Sequence, residues 1–74
     1  MSSLPKGWKY EKSCETYLYG KDDRNGCGVF RENGKWTGNA CFDSEIRVIV
    51  SQKSRRDAMN EALRVLKELR KELG

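Results

Sequence analysis

At Ser54 the spacing of apolar residues changes, and that change limits the folds open to this chain more than any other feature. Before it, short β-favouring runs are cut by turn formers. After it, Ala58, Ala62, Val65, Leu66, Leu69 and Leu73 fall on one stripe at helical spacing, flanked by Met59 and Leu63. Ser54 with Asp57 three residues on resembles a capping box, Asp standing in for the usual Glu. Residues 54–73 therefore read as one amphipathic helix of about twenty residues, roughly 30 Å long. The expected fold class is α+β: a three- or four-stranded antiparallel sheet followed by one long C-terminal helix packed on one face. At 74 residues the chain reads as a single small domain with a thin core.

Residues 1–9 read as a loose entry, because Pro5 and Gly7 oppose regular structure, and 10–51 read as the sheet. The run 10–20 alternates Cys14, Thr16, Leu18 with Glu15, Tyr17, Tyr19, which is strand spacing. Turn formers fill 21–26 and end in Asn25-Gly26. The runs CGVFR and KWTGNACF then flank Asn33-Gly34, and EIRVIVS (45–51) follows an Asp43-Ser44 turn. Hairpin register decides which side chains share a face. A two-residue Asn33-Gly34 turn sets Trp36 beside Arg31; a three-residue turn from Glu32 sets it beside Phe30. The second separates apolar Phe30, Trp36, Ala40 and Phe42 from polar Arg31, Lys35, Thr37 and Asn39, and is the expected register.

The sequence contains no histidine, which removes the commonest general base and the usual partner of a serine or cysteine nucleophile. Cys14, Cys27 and Cys41 are an odd set spaced by 13 and 14 residues, unlike the close pairs of a zinc site or an even disulfide framework. Asp22, Asp23 and Asn25 lack the alternating oxygens and distal Glu of a calcium loop. A non-enzymatic protein without cofactor or metal is expected. The opening residues are polar, with no basic-then-apolar leader, and no run approaches the ~20 apolar residues of a membrane span. A soluble cytoplasmic protein is expected, in the host cytoplasm if phage-encoded.

Binding features remain. The net charge is +4, and the excess lies in the helical segment, since 1–52 hold eight basic and seven acidic residues. Lys53, Arg55 and Arg56 crowd the helix start, where the dipole is already positive, an arrangement suited to gripping phosphate; its alternative is a screened, solvated helix end. Arg31, Lys35, Thr37 and Asn39 form the second candidate, a polar sheet face able to meet nucleic acid or simply solvent. Tyr10, Tyr17 and Tyr19 are suited to stacking on bases or to edge-strand packing. Met59, Ala62, Leu66, Leu69 and Leu73 are spaced 3, 4, 3, 4. Leu66, Leu69 and Leu73 are therefore candidates for a partner or homodimer interface if the helix overhangs the sheet.

GVFRENGKWTGNACF, a further β run and SRRDAMNEAL together resemble the three-stranded-sheet-plus-helix DNA-binding domains, namely the plant ethylene-response-factor (APETALA-type) domain and the arm-binding N-terminal domain of phage integrases. Gly28-Val29, Gly34-Lys35-Trp36 and Ser54 to Ala58 stand at corresponding places over about residues 28–66. The resemblance implies a sheet face set into the DNA major groove, with contacts from Phe30, Glu32, Asn39 and Cys41, none of them basic as most are in the plant domain. SRRDAMNEA also resembles the last helix of double-stranded-RNA-binding domains. Two readings result: a nucleic-acid-binding module using the polar sheet face and basic helix start, or a phage-type accessory or inhibitor protein that binds a host or defence protein.

Overall fold

The computed structural model describes residues 4–22 and 25–73. Five strands form one antiparallel meander in chain order: β1 (Trp8–Glu11), β2 (Thr16–Asp22), β3 (Asn25–Glu32), β4 (Lys35–Phe42) and β5 (Glu45–Gln52). The helix α1 (Arg55–Leu73) closes the fold. The architecture is the expected α+β sheet with a C-terminal helix, with five strands where three or four were expected.

The extra strand comes from dividing the run 10–20. A tight turn at Lys12–Glu15 separates β1 from β2; Glu15 takes a positive φ of 49° and its N–H donates to the Lys12 carbonyl at 3.4 Å. Ser13 bonds back to Glu11, and the Thr16 hydroxyl donates to the Cys14 carbonyl at 2.8 Å. Side-chain bonds thus shape a turn that has neither Gly, Pro nor Asn. Trp8 and Lys9, expected in a loose entry, begin β1 just after a bend in which the Trp8 N–H donates to the Pro5 carbonyl. Asn25 and Gly26 open β3 rather than form a turn. Positions 23 and 24, including one Asp of the weighed cation loop, lie outside the described residues.

The central hairpin takes the two-residue register, contrary to expectation. Glu32 pairs with Lys35, Arg31 with Trp36 and Phe30 with Thr37. Asn33 and Gly34 both have positive φ, 51° and 78°, the backbone of a two-residue turn whose twist matches its strands. Turn geometry prevails over the tidier sorting of apolar from polar. Asp43 and Ser44 repeat the same backbone before β5.

The helix packs on β3, β4 and β5. Ser54 caps it, its hydroxyl accepting from the Asp57 N–H at 3.2 Å. Its stripe is consumed by the sheet: Ala58 and Ala62 are fully buried with Val29 and Ala40. The Cys27 thiol donates to the Ala62 carbonyl at 3.3 Å, so small residues let helix and sheet approach closely. Eight-residue strands run about 26 Å, close to the roughly 28 Å of nineteen helical residues, which leaves little overhang. Leu66 and Leu69 accordingly lie in the core at 1% exposure, and of the three nominated interface leucines only Leu73 is exposed. Gly38 sits where a Cβ would meet the Gly28 carbonyl oxygen of the neighbouring strand, so β4 admits no side chain there.

Candidate nucleic-acid interface

Directly opposed residues of an antiparallel pair share a face, so the register assigns every candidate. Lys35, Thr37 and Asn39 stand together on the face away from α1, as expected. They share it with Phe30, Leu18, Glu32 and the strongly exposed Ile46 and Val48. Thr37 is partly engaged, donating to the Ile49 carbonyl at 3.4 Å. An open depression at one end of this face is lined by Glu32, Asn33, Lys35, Thr37 and Ser51, and the Glu32–Lys35 pair across it balances its charge. The open face is thus mixed rather than basic.

Arg31 is not part of it. The two-residue turn carries Arg31 to the helix side, opposite Trp36. That side also carries a ladder of rings from β1, β2 and β4. Tyr10 and Tyr17 lie 4.8 Å apart, Tyr17 and Trp36 6.0 Å, and Trp8 and Tyr19 5.3 Å, all with tilted planes. Their position follows from alternation: Trp8 faces Tyr19 and Tyr10 faces Tyr17 across β1 and β2, which places all four rings on one side.

From the helix start Arg55 reaches this ladder. Its guanidinium lies 5.0 Å from the centre of the Tyr17 ring and donates to the Tyr17 hydroxyl at 3.2 Å. Arg56 and Lys53 are exposed beside it. Among the described residues Arg31, Lys53, Arg55 and Arg56 form no ion pair; the ion pairs there are Arg47–Glu72 and the exposed Glu61–Arg64–Glu68 set. The hydrogen bond from Arg64 holds the Glu61 carboxyl below its usual range, which marks that helix face as internally neutralised. At the ladder, partial desolvation and then the Glu15 carboxylate raise the Tyr10 phenol above its ordinary value. Glu15 is therefore an acidic neighbour of the ladder.

The cysteines stand apart from this cluster. All three are free, Cys14 exposed, Cys41 half-buried and Cys27 buried. Burial raises the Cys27 thiol to about 11, which suits a packing group rather than a nucleophile. Among the described residues no group of three or more His, Cys, Asp or Glu could hold a metal ion. No helix among them is long and apolar enough to cross a membrane.

The components of the ladder are present in the sequence pattern, but the expected register assigned Arg31 to the wrong face and left Arg55 separate from the tyrosines. Asn33-Gly34, read as a two-residue turn, was the signal that joins Arg31 to Trp36. No protein-family model, no curated protein and no solved structure matches this chain.

Proposed function

We propose that this chain is a non-enzymatic nucleic-acid-binding protein whose contact surface is the aromatic–arginine end on the helix side of the sheet. The observation that carries the reading is that Arg31 and Arg55 share the ring-bearing side of the sheet, Arg31 paired in register with Trp36 and the Arg55 guanidinium 5.0 Å from the centre of the Tyr17 ring. Arginines without acidic partners, together with Lys53 and Arg56, meet phosphates, while the rings offer apolar faces. This moves the contact off the open face, which carries Lys35, Thr37 and Asn39 and the Phe30, Glu32, Asn39 and Cys41 contacts implied by the APETALA-type resemblance.

The test is fluorescence anisotropy of labelled DNA and RNA across several salt concentrations. Binding should fall steeply with salt as counterions are released. The double variant Arg31→Gln, Arg56→Gln should flatten the salt slope by about two, one for each phosphate that is no longer neutralised. Absence of binding at low salt would reject the reading.

A second reading rests on Ile46 and Val48, which are 65% and 73% exposed on the open face of edge strand β5. Exposed apolar residues on an unpaired edge suit a protein contact, as the phage-type accessory or inhibitor role would need. Of Leu66, Leu69 and Leu73, a homodimer through the helix end would find Leu73 alone exposed.

A further inference from the structure

We infer that the ligand of this surface is single-stranded nucleic acid, its unpaired bases stacking on Tyr10 and Trp36 while Arg31, Arg55 and Arg56 hold the phosphates between them. This ligand class rests on the nucleic-acid reading above and narrows it.

Steric and electrostatic features both favour a single strand. In a duplex both faces of each base are covered by its neighbours, so only base edges and phosphates are offered to a protein. Reading such edges takes a projecting helix or ribbon. This end of the molecule has none: among the described residues α1 reaches β1 and β2 through Arg55 at its first turn, and Trp8, Tyr17, Tyr19 and Trp36 pack against the core that α1 shares. What this end presents is ring surface. Tyr10 is 47% exposed at the outer end of the ladder, and Trp36 is half-buried at the inner end. Between them Tyr17 is already engaged by Arg55, whose guanidinium lies 5.0 Å from the ring centre. Rings on a sheet with arginines at their margin hold about two or three unpaired bases in other sheet readers of RNA, and the rings tolerate any base because every base has a π-face.

A structural role alone explains Trp8, buried at the end of β1. Tyr10 packs on Tyr17 at 4.8 Å yet keeps 47% exposure at the edge strand, close enough to Glu15 for that carboxylate to raise its phenol. The same proximity identifies Glu15 as a residue opposing the incoming phosphates, so Glu15→Gln should tighten binding by about threefold at low salt.

The experiment compares an unstructured oligothymidylate of about twelve nucleotides with a duplex of the same length. It uses the wild-type chain, Tyr10→Ser and Trp8→Phe, the last leaving Trp36 as the sole tryptophan. The expected result is single-strand binding at least about tenfold tighter than duplex binding, and a loss of about fivefold or more for the single strand in Tyr10→Ser. Duplex binding should be unchanged in that variant, and Trp36 emission should be quenched on saturation. Tyr10→Ser alters an exposed side chain, and circular dichroism verifies its fold independently of Trp8→Phe. Equal, salt-dependent binding of both oligonucleotides that ignores Tyr10→Ser would overturn the stacking inference and leave the nucleic-acid reading standing. Binding of neither would overturn both.

Discussion

The strands under α1 and the strands beyond it are held by different means. Under the helix, β3, β4 and β5 are packed through small and branched residues, with Val29, Ala40, Ala58 and Ala62 fully buried and a thiol-to-carbonyl bond tying Cys27 to Ala62. Beyond it, among the described residues, the α1 backbone does not approach β1 and β2; four tilted rings cover them, joined to the helix by Arg55 and to the core through Trp8, Tyr17 and Tyr19. Aliphatic packing is dry and closes completely; an aromatic layer at an edge leaves ring surface and polar tips in water. The same chain thus has one half that is closed and another that leaves ring surface exposed at Tyr10.

The largest expected effect lies in the covered half. Leu66→Ala removes a side chain at 1% exposure and should lower unfolding free energy by about 2–5 kcal/mol in denaturant titration, with every probe shifting together. A small effect there, comparable to that of an exposed site, would mean that the helix does not anchor the fold.

An intermediate effect comes from Cys27. Its thiol rises from 9.0 to about 11 on folding because burial disfavours the thiolate. The folded state therefore retains a proton that the unfolded chain releases. The contribution is intact below about pH 9 and is lost as pH rises toward 11, amounting to roughly 2 kcal/mol at the upper end. The stability gap between wild type and Cys27→Ala should narrow by that amount from pH 8 to 11. A constant gap would show that the thiol is not enclosed between sheet and helix.

The smallest effect belongs to the ladder. Tyr10→Ser removes a single exposed ring partner and should cost about 1 kcal/mol, raising amide exchange in β1 while leaving β3 and β4 protected. Loss of protection throughout the sheet would erase the distinction between the two halves.

The covered half was also the more legible in sequence. A stripe of Ala, Val and Leu at helical spacing reads as one amphipathic helix, and Ser54 and Asp57 marked its start. The Asp43-Ser44 turn and the β run after it were equally plain. The helix surplus was not, because eight-residue strands extend as far as nineteen helical residues and take up Leu66 and Leu69. The ladder was hidden for two local reasons. Lys12–Glu15 turns by side-chain hydrogen bonds with a left-handed Glu15, a conformation that residue type rarely announces. At Asn33-Gly34 the sorting of Phe30 with Trp36 competed with turn geometry and lost, so Phe30 went to the open face and Arg31 to the rings. One residue of register separated a solvated polar face from an arginine-lined aromatic one.

Amide, indole and guanidinium NMR shifts, mapped as oligothymidylate is titrated into the labelled protein, distinguish the two faces of the sheet in a single experiment. Binding at the ladder predicts changes concentrated at Tyr10, Tyr17, Arg31, Arg55 and the Trp36 indole, with the open-face residues Asn39, Ile46 and Val48 unmoved. Changes centred on Asn39, Ile46 and Val48, with the ladder silent, would contradict it.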